Sequence, residues 1–141
     1  MYLLDTNVVS ECRKISSGKA NKMVACWIKK APVNSVFIST ITILELEIGV
    51  LQKERHDPQQ GAVLRCWLNE HVLPSFSQRI LSLDVAVAQR CAHLHIPDPK
   101  SDRDAIIAAT ALAHGMTVVT RNVNDFAQIK VPLLNPWDAN K

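Results

Sequence analysis

The sequence predicts an α/β fold in three layers, with a central parallel sheet covered by helices on both faces. Two observations carry this. Short apolar, strand-like runs alternate with stretches of helical length, and the 141 residues contain no internal repeat, low-complexity segment or interdomain linker. Strands separated by helices need crossover connections, which make neighbouring strands parallel and bury both faces of the sheet. Residues 1–141 therefore read as a single domain. Apolar residues make up 48% of the chain and charged residues 21%, enough to build a core without disulfide or metal staples.

Taken in order, Tyr2 to Leu4 is a short apolar strand that ends at Asp5. From about Asn21 to Lys30, Met23, Val24, Trp27 and Ile28 recur at helical spacing, and Ala31-Pro32 stops that helix. Ser35 to Ser39 is β-branched and aromatic, the second strand. A helix from about Thr42 to Lys53 follows, its apolar face carrying Ile43, Leu44, Ile48 and Leu51. Polar His56 to Gln60, with Pro58, forms a helix–helix turn. The next helix runs to about Val72 and is interrupted by Pro74.

Arg79 to Leu83 is the third strand, and Asp84 caps a helix from Val85 to His93. Ile96-Pro97-Asp98-Pro99-Lys100 forms a rigid loop. Ser101 to His114 is the most clearly patterned helix, with Gly115 at its C-terminal cap. Met116 to Thr120 is a buried strand, and Val131 to Leu134 supplies the last one.

Composition excludes several classes of protein. The N-terminus reaches Asp5 without a basic region or a long apolar run, so it does not read as a signal peptide, and no segment has the length of a membrane span. Cys12, Cys26, Cys66 and Cys91 are dispersed, with no CxxC pair for zinc or redox chemistry, and read as small buried hydrophobes. A cytoplasmic, reduced protein is expected. The formal net charge of +3 suits brief encounters with polyanions but does not establish nucleic-acid binding.

The acids carry the chemistry. In open α/β sheets, ligands bind beyond the carboxyl ends of the strands. Asp5 ends the first strand, and Asn122 and Asp125 lie just past the strand Met116 to Thr120. Glu45 and Asp104 fall in the first turns of their helices, which open on the same edge. Each has a plainer explanation. Thr42-x-x-Glu45 and Ser101-x-x-Asp104 match capping boxes, and Asp5, Asn122 and Asp125 suit helix caps. Against capping alone, the segments around Asp5 and Asp104 are core-forming and draw those carboxylates inward. Two carboxylates about 5 Å apart repel by roughly 3 kcal/mol at an effective dielectric of 20. Three or four converging require protonation or a cation, and carboxylate oxygens suit Mg²⁺ or Mn²⁺. Such a site implies phosphodiester hydrolysis.

These motifs together resemble a known family. LLDTNVVSE, ISTITILELEIGV, DAIIAATALAHGMTVVTRNVNDF and the closing LLNPWD are similar, in order, to the motifs of PIN domains, particularly VapC-type toxins. The resemblance implies a PIN fold, Mg²⁺- or Mn²⁺-dependent endoribonuclease activity on RNA, a homodimer and a cognate antitoxin. Contact with operator DNA would run through that antitoxin.

The resemblance also implies a site of Asp5, Glu45, Asp104 and a fourth polar position. Asp125 is favoured there for its charge, with Asn122 as an accessory neighbour. Asp5 and Asp104 would be the main ligands of a first metal. Glu45 would complete its shell or orient water, and Asp125 would hold a second ion if one binds. Glu47 lies about 200° round the helix from Glu45 and faces elsewhere. Thr6 and Asn7 either fix the Asp5 carboxylate or cap the first helix.

HIPDPKSDRD departs from the glycine-containing loop common in relatives. Asp98 and Asp102 there either assist the site or are simply solvated. Arg13, Lys14, Arg103 and Arg121 are candidates for contacts to RNA phosphates. Trp27, Trp67 and Trp137 read as core or dimer anchors, and His93 and His95 do not share a helix face. Two rivals remain. A phosphatase of the haloacid-dehalogenase type would use Asp5 as nucleophile, but Asn7 stands where its general acid belongs. A non-catalytic PIN-like module would bind RNA or protein without cutting.

Overall fold

A computed structural model describes residues 1–138. Its elements run β1 (Tyr2–Leu4), α1 (Thr6–Cys12), α2 (Lys22–Lys30), β2 (Val36–Ser39), α3 (Thr40–His56), α4 (Pro58–Trp67), α5 (Leu73–Ser75), β3 (Ile80–Leu81), α6 (Val85–Leu94), α7 (Asp102–His114), β4 (Thr117–Val119) and β5 (Leu133–Leu134). The strands form one sheet in the order β3-β2-β1-β4-β5, and every pairing is parallel.

Alternation along the strands sorts the core into two layers. Leu4, Val36, Ile38 and Val119 face α1, α3 and the segment after α4, where Val8, Val9, Leu46, Val50, Leu68 and Val72 bury against them. Leu3 and Val118 point to the opposite face and pack on Ile107, Ala108 and Ala111 of α7, with Phe126 and Ile129. Period-two alternation lets a three-residue strand serve both layers. The predicted three-layer α/β architecture is the one observed.

Local chemistry sets the boundaries. Asn21 caps α2 by accepting from the N–H groups of Met23 and Val24, and Asp84 caps α6 by accepting from Val87. Gly115 ends α7 in the left-handed region at φ 66°, a conformation that costs glycine least.

The helix after β2 departs from expectation. It starts at Thr40, and its cap is Ser39, whose hydroxyl accepts from the N–H of Ile41. Thr42 is therefore interior and fully buried, and Glu45 lies in the second turn. The core face is Thr42, Leu46 and Val50, whereas Leu44 and Leu51 are exposed. Apolar residues encircle this helix, so spacing alone does not choose a face.

The turn expected at His56 to Gln60 shrinks to Asp57, which caps α3 and α4 together, with Pro58 in the first turn of α4. Pro74 does not break the following helix. A π-helical turn, Leu68–Val72, precedes it, and helix continues to Ser75. The wider turn accommodates a ring that would otherwise clash with the carbonyl four residues back. Of the four cysteines, Cys91 is buried and Cys12 half-buried, but Cys26 and Cys66 are exposed.

Among the described residues no helix is long and apolar enough to cross a membrane.

Candidate active site

In this strand order the chain turns back between β1 and β4, and the carboxyl ends of those two strands flank the crevice where α/β sheets bind ligands. Asp5 stands there. Its N–H bonds the carbonyl of Val119 at 2.8 Å, continuing the β1–β4 ladder one residue past the strand. The side chain is 7% exposed and held from three sides. The Thr6 N–H donates to Oδ1 at 2.8 Å, which also makes Asp5 the cap of α1. The Thr120 hydroxyl donates to Oδ2 at 2.8 Å, and the Asn7 amide reaches Oδ2 at 3.3 Å. Capping α1 thus leaves the Asp5 carboxylate fixed at the sheet edge.

Asn7 fixes Asp5 as expected and also accepts from the Arg121 N–H at 3.2 Å. The amide donates to Asp5, which is not what a general acid beside a nucleophilic aspartate would do. Thr6 divides its work differently from the expectation. Its backbone holds Asp5, but its hydroxyl donates to Oε1 of Glu45 at 2.6 Å, with the buried Thr42 hydroxyl 3.3 Å away. Glu45 is therefore not part of a capping box. Helical side chains lean toward the N-terminus, so an acid in the second turn still reaches back to the sheet edge. Its other oxygen, Oε2, pairs with Arg103 at 3.5 Å.

Asp104 lies in the first turn of α7, whose cap is Ser101 as predicted. The cap hydroxyl makes no bond to the helix N–H groups. Asp125 sits in a 3₁₀ turn, Val123–Phe126, pinned by the fully buried Phe126. Asn122 precedes that turn, its N–H donating to the Thr120 hydroxyl at 3.0 Å. Both Asn122 and Asp125 are exposed.

The electrostatics join these segments. Burial raises the Asp5 carboxyl above the ordinary carboxylate range, and the charge of Glu45 adds to the rise. The hydrogen bonds from Thr120, Thr6 and Asn7 oppose it. Asp104 is raised too, by burial first and then by the charges of Asp5, Asp125 and Glu45, with Ser101 opposing. Asp104 thus feels the negative charge of acids from three other segments, Asp5, Glu45 and Asp125.

Hard oxygen donors in surplus negative charge suit a small divalent cation. Among the described residues no three of His, Cys, Asp and Glu are already drawn together closely enough to enclose an ion. The acids therefore interact through the field, at a range longer than ligation.

From Glu45 and Asn7 a cleft of about 750 Å³ runs between α1 and α3, with Trp67 and Trp137 among its walls. Arg13, Lys14 and Arg121 line it, whereas Arg103 lies on Glu45 instead. Arg121 stacks over Trp137 at 5.2 Å, and Trp27 packs edge-on against Tyr2 at 5.1 Å. Asp98 is exposed, and Asp102, 92% exposed, lies 3.8 Å from His95. His95 itself caps the end of α6.

Sequence reasoning missed Thr120 and Glu11, and took Thr42 for a cap where its buried hydroxyl lies beside that of Thr6. Thr120 is fully buried and links Asp5, Asn7 and Asn122 through one hydroxyl. Its position at the end of a strand leading into the site was the available signal. Glu11 lines the cleft and ties down the α1–α2 connection by accepting from the Asn21 N–H at 2.7 Å. That bond is the main reason its carboxyl lies below the ordinary range.

The fold is that of a known class, and comparison identifies it. The PIN domain model matches residues 2–132, and the chain belongs to the PIN-domain family. It is similar to plasmid stability protein StbB of Pseudomonas syringae pv. tomato, 36% identical with 99% of this chain and 100% of the relative covered. VapC ribonuclease Y4jK of Sinorhizobium fredii is 32% identical, covering 98% of this chain and 99% of the relative. Toxin FitB of Neisseria gonorrhoeae is 34% identical over 97% of this chain and 99% of its own length. The structure of FitAB bound to an IR36 DNA fragment matches with a TM-score of 0.86 at 34% identity, covering 98% of this chain and 96% of that one.

Proposed function

We propose that this chain is a metal-dependent endoribonuclease that acts as the toxin of a toxin–antitoxin pair. The observation that carries the reading is the placement of Asp5, Glu45, Asp104 and Asp125 toward one sheet edge, with Asp5 and Asp104 raised first by burial and then by their neighbours' charge. The similarity to a VapC ribonuclease and to toxin FitB supports RNA as substrate and a toxin role. The FitAB–DNA structure supports operator contact through a partner chain. The unit is taken as one domain, cytoplasmic and homodimeric, with the antitoxin as its second partner.

Mg²⁺ or Mn²⁺ would be held by Asp5 and Asp104, with Glu45 and Asp125 beside them. Bound there, it supplies Lewis-acid polarisation of the phosphate and a lower pKa for an attacking water.

The chain's own residues do the rest. Thr120, Asn7 and the Thr6 N–H lock the Asp5 carboxylate in one orientation, so little reorganisation is needed when substrate arrives. The Thr6 hydroxyl does the same for Glu45. Asn122, tethered to Thr120, stands beside the site as an amide that can hydrogen-bond water or phosphate. Arg13, Lys14 and Arg121 on the cleft wall offer positive charge to the RNA backbone.

The test incubates wild type and Asp104→Asn with a panel of RNAs, transfer RNA included, in Mg²⁺, Mn²⁺ or EDTA. Wild type is expected to cut in either metal and to stop in EDTA, and Asp104→Asn is expected to be inactive. Equal cutting by both proteins would contradict the assignment. No cutting by folded protein that still binds RNA or a partner would replace it with the non-catalytic module.

A further inference from the structure

Arg103 neighbours Asp104 in the chain, yet its side chain turns to a different acid. Its guanidinium lies 3.5 Å from Oε2 of Glu45, and among the described residues this is the ion pair made to the four clustered acids. Glu45 is thereby held twice, at Oε1 by the Thr6 hydroxyl and at Oε2 by Arg103.

The contact is built to be broken. One N–O approach, with the arginine side chain 50% exposed and the glutamate 25%, is a weak pair in high dielectric. A guanidinium is always charged, so loss of its own proton does not release it near neutral pH. A divalent cation can, because at Glu45 it neutralises the charge that holds the guanidinium and repels it. Once freed, a planar fork of N–H donors binds a phosphate better than a single carboxylate oxygen, since phosphate accepts two parallel bonds.

Resting on the ribonuclease reading above, we infer that Arg103 is an exchangeable cation of this site. It neutralises Glu45 while no divalent ion is bound, and turns to the phosphate of the RNA at the point of cleavage once Glu45 is taken. The same side chain then opposes metal binding in the free protein and stabilises charge on the phosphate during reaction. A purely structural ion pair would do neither.

The two halves separate experimentally. Mn²⁺ binding without RNA is measured for wild type, Arg103→Ala and Arg103→Lys, with Arg13→Ala removing a positive charge from the cleft wall as a control. Cleavage is then followed at saturating Mn²⁺. Arg103→Ala is expected to bind Mn²⁺ about twofold to fivefold more tightly, the range that release of a half-exposed ion pair allows. Its kcat falls about a hundredfold, as when one donor to developing charge is lost, with a smaller change in KM. Arg103→Lys recovers part of kcat because it restores the charge but not the fork. Arg13→Ala leaves Mn²⁺ affinity within about twofold, its charge being outside the acid cluster.

An Arg103→Ala protein with wild-type Mn²⁺ affinity and wild-type kcat overturns the inference. So does an Arg13→Ala protein that tightens Mn²⁺ equally, because general charge and not the Glu45 contact would then be responsible. A wild type that cuts no RNA overturns the ribonuclease reading and the phosphate half with it, whereas an active wild type matched by Arg103→Ala overturns this inference alone. Circular dichroism confirms that the variants are folded, as expected for an exposed residue in a first helical turn.

Discussion

Two acids on α3, Glu45 and Glu47, show how differently one helix uses the same chemistry. Glu47 faces α4, where Arg65 bonds it at 2.9 Å and also grips both carboxylate oxygens of Glu54 at 3.2 Å. Its carboxyl is held below the ordinary range by that arginine. Gly61 allows the two helices to meet so closely, for a Cβ there would lie 2.4 Å from the Glu54 Cα. Glu45, about 200° away round the helix, faces the sheet edge. There it adds charge to Asp5 and Asp104, whose carboxyls are raised. Acids that hold the fold are paired where they stand. Toward the sheet edge the acids outnumber their close cations, Arg103 on Glu45 being the one ion pair to the four among the described residues, an arrangement that a bound cation would relieve.

The largest effect should come from the surplus side of this comparison. Asp5→Asn or Asp104→Asn is expected to lower RNA cleavage by more than the roughly 10–100-fold that loss of an outer partner costs. Glu47→Gln should leave cleavage unchanged. An equal loss in Glu47→Gln, measured as kcat, would erase the distinction.

Thr120→Val sharpens it. The shape is kept, but the hydroxyl that orients Asp5 is gone, and cleavage should fall about 10–100-fold. Thermal stability should change much less than activity. A variant with wild-type kcat would show that Thr120 packs without positioning.

On the paired side, Gly61→Ala should destabilise the protein by about 1–3 kcal/mol, because the methyl group meets backbone and not a flexible side chain. Urea unfolding measures this, and the kcat of the folded protein should hold. Unchanged stability would mean that α3 and α4 separate easily.

The smallest effect is in pH dependence, and its sign differs between the two regions. Asp104 is raised, so the folded state binds its proton more readily than the unfolded chain does. Stability from this group is present below the ordinary value of 3.8 and is lost as pH rises through the higher folded value. At neutral pH in EDTA the penalty is complete. Asp104→Asn should therefore raise the melting temperature, by the equivalent of at most about 1 kcal/mol after solvent screening at this half-exposed position. The gain should vanish at acid pH. Glu47 behaves in the opposite sense: its contribution is present above 4.5 and is lost as pH falls through the lower folded value. A destabilised Asp104→Asn at neutral pH would contradict the surplus of charge.

Much of the fold was legible because short apolar runs and capped helices obey local rules. Asp84, Asn21 and Gly115 stand where their chemistry places them. What failed depended on tertiary context. Thr42-x-x-Glu45 imitates a capping box so well that the true cap, Ser39, was passed over as a strand residue. Apolar residues all round α3 hid Leu46 and Val50 as the core face.

For the candidate site, the motifs bring forward Asp5, Glu45, Asp104 and Asp125, with Asn7 and Asn122 as their neighbours. Thr120 had only its place at a strand end to mark it, since a β-branched residue there looks like core until its hydroxyl is seen on Asp5. The partnership of Arg103 with Glu45 joins residues 58 positions apart and has no local signature.

The most direct test of the account is Mn²⁺ binding by metal-free protein, without RNA, for wild type, Asp104→Asn and Glu47→Gln. Wild type and Glu47→Gln are expected to bind alike, and Asp104→Asn to bind at least about tenfold more weakly. Equal binding by all three would contradict the claim that the acids in surplus at the sheet edge are the metal-binding site.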